Sequence, residues 1–155
     1  MNATEVSEAL VTWAQAVVPS LAGSGYDYPP MGKTKELPDV VAGVIAEAKD
    51  VSDERFPWSL LQQTGVRIFD CQLSIMVEPG DTDDDSKAAM DELRSMVRAL
   101  MDSQDADATL NGLVFDTDPR MRADYEPGFV EYADGSRGRE VRIVLTVAEP
   151  LEASR

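Results

Sequence analysis

The stretch GDTDDDSKAAMDEL, Gly80 to Leu93, is crowded with carboxylates that could hold a divalent cation. With Asp81 as the first position of a calcium loop, Asp83, Asp85 and Glu92 fall at the third, fifth and twelfth, all ligand positions of an EF-hand. The sixth position of such a loop needs glycine for its sharp turn, and here it is Ser86. The flanks decide the matter, because an EF-hand loop lies between two helices. The residues before the cluster, TGVRIFDCQLSIMV, alternate apolar and polar as a strand does. After it, Ala89, Leu93, Met96, Val97, Leu100 and Met101 recur at helical spacing. The cluster therefore opens a helix. Thr82, Asp83 or Asp85 can cap its free N–H groups. The other carboxylates favour the positive end of the helix dipole by roughly 0.3–1 kcal/mol each before their mutual repulsion. No metal site is expected.

Other catalytic constellations fail on residue type. The chain has no histidine, which removes the commonest general base and every Ser-His or Cys-His pair. Cys71 is the single cysteine, so no internal disulfide or cysteine-based zinc cluster can form. It shares a strand face with Phe69 and Leu73 and reads as core. Asp70 stands alone on the other face. Asp83, Asp84 and Asp85 are consecutive, so their side chains diverge from any common atom. Gly32-Lys33-Thr34 matches the end of a phosphate-binding loop, but the earlier glycine would be residue 27, which is Asp27. Tyr132, Arg137, Arg139 and Arg142 come closest to a nucleic-acid surface. Glu131, Asp134 and Glu140 balance their charge. Neither an enzyme nor a cofactor is expected.

The 155 residues suit one domain over 1–150, with 151–155 as a frayed tail. A chain of this size buries roughly 70% of its unfolded surface without staples. No apolar run is long enough to span a membrane, and no basic region precedes an apolar core at the start. Synthesis in the cytoplasm is the expectation. The net charge of -15 opposes a simple clamp on nucleic acid. It serves solubility, or it repels a polyanion.

The elements that position these residues follow from periodicity. NATEVSEALVTWAQAVVP reads as a helix capped by Asn2 with Glu5 as capping-box partner. Val6, Leu10, Trp13 and Val17 form its apolar stripe, and Pro19 stops it. SLAGSGYDYPPMGKTKELP, carrying Tyr26, Tyr28, Lys33 and Lys35, reads as a long loop. DVVAGVIAEA, from Asp39, reads as a strand. A second loop holds Trp58, which either caps the core or anchors an interface. The Val66–Val77 strand is expected at the sheet centre. LVFDTD, from Leu113, reads as a third strand after an Asn111-Gly112 turn, and RMRADYEPG as irregular. Asp134-Gly135 signals a hairpin. Beyond it Val141, Ile143, Leu145 and Val147 share a face long enough to pair elsewhere too. The expected fold is α+β. Its mainly antiparallel four-stranded sheet carries two helices on one face and a projecting β-hairpin.

Four stretches, GYDYPPMGKTKELPDVV, LQQTGVRIFDCQLSIMV, DATLNGLVFD and FVEYADGSRGREVRIVLTV, together resemble tail terminator proteins of long-tailed phages that infect actinobacteria. They spread from about Tyr26 to Val147, and none is a catalytic signature. The resemblance implies a virion protein made in the host cytoplasm, located at the head–tail interface. It implies a ring, usually of six subunits, that caps the head-proximal end of the tail tube and stops its polymerisation. The ring then presents a surface to the head–tail connector. The implied partners are further copies of the chain, the tail tube protein and the connector. DNA passes through without specific binding, and no membrane is involved. A ring needs a heterologous interface that closes. Tyr26, Tyr28, Lys33, Lys35, Trp58, Tyr132, Arg137 and Arg139 are the candidates for it. The alternatives are another neck or tail-completion protein, a small ligand-binding module with an apolar pocket, or a Mg²⁺-dependent hydrolase built on converging carboxylates.

Overall fold

Helix α1 runs from Ala3 to Val17. Asn2 precedes it in extended backbone, and its side-chain oxygen accepts the Glu5 N–H at 2.8 Å. Val6, Leu10 and Trp13 are fully buried, while Val17 packs at the core's margin. Proline at 19 has no N–H to continue the helix, and a short 3-10 turn, Pro19–Leu21, follows. Helix α2, Asp83–Ala106, is about 36 Å long at 1.5 Å per residue. Thr82 caps it. Its hydroxyl accepts the Asp85 N–H at 3.1 Å, and the Asp85 carboxylate accepts the Thr82 N–H at 3.3 Å. The acidic cluster is thus a helix start preceded by a strand. Ala89, Leu93, Met96, Val97, Leu100 and Gln104 form the buried stripe of α2.

The strands are β1 (Gly25–Tyr26), β2 (Ala42–Val51), β3 (Val66–Val77), β4 (Asp116–Thr117), β5 (Arg122–Tyr125), β6 (Val130–Glu131) and β7 (Arg137–Pro150). The computed structural model describes residues 2–21, 25–26, 42–51, 66–77, 82–117, 120–128, 130–131 and 137–150. For β1, β6 and all of β2 except Ala48, only the backbone is described. β3 lies at the centre, antiparallel to β2 on one side and to β7 on the other. The outer edge of β7 carries β4, β5 and β6 one after another, a fourth strand in three pieces.

The β3–β7 register explains the core. Phe69, Cys71, Leu73 and Ile75 sit opposite Val147, Leu145, Ile143 and Val141, and all eight are buried. Both helices pack on this one face. Each fully buried Leu, Ile or Phe contributes roughly 1.5–3 kcal/mol. A slip of one residue would carry Asp70, Gln72 and Ser74 into the core instead.

The structure departs from the periodicity at four places. Gly25–Tyr26, read as loop, pairs parallel with Val44 and Ile45. β2 runs three residues past Ala48 to Val51. The strand expected from Leu113 starts only at Asp116, because Leu110, Asn111 and Gly112 take φ of 52°, 62° and 81° and curl the chain. Asn and Gly tolerate that region. Leu110 is held there by complete burial. Arg122–Tyr125, read as irregular, is β5. Its alternation is short, and pairing with β7 supplies what a four-residue strand lacks alone.

Candidate functional site

Among the expected interface residues, Tyr28, Lys33, Lys35, Trp58 and Tyr132 lie outside the described residues. Tyr26 in β1 and Arg137 in β7 are described by their backbone alone. Arg137 pairs with Glu131, and Gly138 with Val130, beyond Arg139, where the β3 ladder ends. The β6–β7 hairpin therefore extends past the central ladder. Arg139 stands at its base, half-buried. One terminal nitrogen donates to the Gly128 carbonyl at 3.2 Å and the other to the Ser86 hydroxyl at 3.0 Å. This guanidinium braces the hairpin base against the first turn of α2. Both terminal nitrogens thus have acceptors within the chain.

Another surface feature of the described residues lies between α2 and β5. It is an open groove of about 580 Å³. Val97, Met101 and Ala123 supply its apolar floor, and Tyr125, 37% exposed, stands at its side. Among the described residues, Arg94, Arg98 and Arg120 line it against one acid, Asp102. Arg94 and Arg98 are one helical turn apart, so they present guanidinium groups on the same side of α2. Arg94 meets Asp91 at 3.8 Å and Arg120 meets Asp105 at 2.9 Å. Both pairs are exposed, and such pairs hold their partners by about 0–1 kcal/mol. Arg98 has no ion pair among the described residues. In a chain of net charge -15, this is a local cationic site with an apolar base.

A buried polar junction joins the elements that flank the groove. The Gln104 side-chain amide donates to the Thr117 hydroxyl at 3.0 Å, and its oxygen accepts the Met121 N–H at 2.8 Å. The Thr117 hydroxyl donates to the Ala108 carbonyl at 2.7 Å. These bonds join α2 to β4 and to the residue before β5. Trp13 ties α1 to the same end of α2, donating to the Ser103 hydroxyl at 3.0 Å. The linking turn is held by Asp107, whose carboxylate accepts the Thr109 hydroxyl at 2.6 Å and N–H at 2.9 Å. Those bonds draw its pKa below the ordinary carboxylate value.

The described lining of the groove offers guanidinium groups, one carboxylate and a phenol. Cys71 is in the core, and burial pushes its thiol up to about 12. The Tyr125 hydroxyl is raised by partial burial, against the opposing effect of the Arg94 charge. Glu140 on β7 is raised by burial, with Arg142 opposing and Glu126 reinforcing. No group of three or more Cys, Asp or Glu side chains gathers for a metal ion among the described residues. No described helix is long and apolar enough to cross a membrane. Guanidinium groups above an apolar floor suit a carboxylate beside a hydrophobic side chain.

Periodicity passed over this site. The helical spacing gave Arg94 and Arg98 no role, and RMRADYEPG read as irregular. The signal present in the sequence was the alternation of Met121, Ala123 and Tyr125 with Arg120, Arg122 and Asp124. The chain matches no known family model and no curated protein.

Proposed function

We propose that this chain is a non-catalytic, ring-forming assembly protein of a virion. Within that class, the reading is a tail terminator of a long-tailed phage of actinobacteria. It would cap the head-proximal end of the tail tube, stop its growth and offer the joining surface to the connector. The four sequence stretches carry the resemblance.

The structural observation that best supports it is the β6–β7 hairpin. Its pairs, Val130–Gly138 and Glu131–Arg137, lie beyond the ladder that anchors β7 to β3. A rigid sheet with an element extending past its edge is suited to a heterologous contact, which closes into a ring when the rotation allows. Cofactor chemistry has no part in this reading, and DNA would pass through the ring without specific contacts.

Native mass spectrometry over a wide concentration range, with and without Mg²⁺, is the first test. A discrete ring-sized species, six subunits by the family pattern, is expected. Addition to purified tail tubes is the second. Capped tube ends of uniform length support the reading. A strict monomer that also leaves tube ends unbound returns the chain to the class of small binding modules.

A further inference from the structure

Phe115 is the most exposed large hydrophobic residue among those described, at 56%. Its neighbours hold it there. Val114 is buried, and Thr117 two positions on is buried and bonded to both Gln104 and Ala108. The ring is therefore presented outward from a fixed backbone, next to the carboxylate of Asp116. An aromatic displayed this way costs solvation and has little to order on binding, the profile of an interface anchor.

The α2–β5 groove has the complementary chemistry. Its floor of Val97 and Met101 accepts an apolar ring. Its guanidinium groups can lie over that ring and fork onto an adjacent carboxylate. A cavity of 580 Å³ has room for a phenyl side chain and its neighbours. Phe115 does not line the groove of its own chain. β4 and β5 occupy different stretches of β7, at Val147–Ala148 and Val141–Val144. The two patches thus lie beside different stretches of one strand.

We propose that the α2–β5 groove receives the Phe115–Asp116 edge of a second copy of this chain in a head-to-tail contact. The contact rests on the reading above that copies close into a ring, and it names the surfaces that would do so. Charge selects this occupant. The chain as a whole is strongly acidic, and its cationic groove would meet the acidic edge of the next copy. Two unlike, complementary patches on one molecule produce a ring or a filament, never an isolated two-fold dimer.

Sedimentation velocity on the full chain tests this, with circular dichroism confirming that each variant is folded. Phe115→Ala should weaken self-association at least about 30-fold, as loss of an anchor does. Arg98→Glu should weaken it at least about tenfold. Phe115→Ala keeps an intact groove and Arg98→Glu keeps an intact anchor. Mixing the two should therefore give a 1:1 heterodimer and nothing larger. Rings that form equally well with both substitutions overturn this contact and leave the ring reading standing. A mixture that fails to associate also overturns it. So does a wild-type chain that stays monomeric throughout, and the tube-capping assay then judges the terminator reading separately.

Discussion

Replacing Gln104 by leucine should destabilise the protein by about 2–4 kcal/mol, nearly all of it from stranded hydrogen-bonding groups. Leucine has similar bulk, so the change leaves little cavity. Two partners of the Gln104 side chain are among the described residues. It accepts the Met121 N–H at 2.8 Å and donates to the Thr117 hydroxyl at 3.0 Å. Met121 is only 3% exposed, so water cannot replace the lost acceptor easily. An orphaned buried amide costs about 1–3 kcal/mol. Thr117 keeps its bond to Ala108, so its share is smaller, on the order of 0.5–1.5 kcal/mol. Against a total stability of about 5–15 kcal/mol this is a large fraction. Urea unfolding gives the number, provided the denaturant slope matches the wild type. A Gln104→Leu/Thr117→Val double-mutant cycle then isolates the pair term. Native-state hydrogen exchange at the Met121 amide reports the local consequence, since that amide should exchange far faster in the variant. A loss under about 0.5 kcal/mol, with Met121 exchange unchanged, refutes the claim that Gln104 joins α2 to β4 and β5.

Two further outcomes follow from groups away from the groove. Cys71 should resist a disulfide reagent in the native protein at pH 8, where a thiol held at about 12 is only about one part in ten thousand thiolate. It should react fully in denaturant, and rapid native modification would contradict its place in the core. Glu140 has a folded pKa raised by burial, so the folded state binds its proton more tightly than the unfolded state. The sign is then that stability from this group is present at low pH and is lost as pH rises from the unfolded value through the raised folded one. Glu140→Gln should melt higher than wild type at neutral pH, with the gap closing as pH falls. A gap that widens on acidification reverses the sign and removes burial as the cause.

The helices were legible because their signals are local. Asn2 and Thr82 satisfy orphan N–H groups within three residues of themselves, and the apolar stripes repeat within a few turns. The same locality made the acidic cluster readable as a helix start. β3 and β7 were legible because twelve-residue alternation leaves one face that must be covered. β1 and β5 were read as loop or irregular, and β4 was read with its start three residues early. Strands of two to four residues carry too few side chains to set a period, and they exist here because β2 and β7 offer them open edges.

The candidate groove was illegible for the same reason on a larger scale. Arg94 and Arg98 come from one helix, and Arg120 and Tyr125 from a segment more than twenty residues later. Their types and helical spacing are written in the chain, but their meeting is not. It depends on the β5 register against β7 and on the Gln104 junction, both set by long-range pairing. Residue order alone settled the α+β class, the capped helices and the two long core strands. Each of these rests on groups that are near neighbours in the chain or on one repeating face. The cationic groove, the outward Phe115 and the inward brace of Arg139 belong to folding, because each is created by side chains that only packing brings within reach of one another.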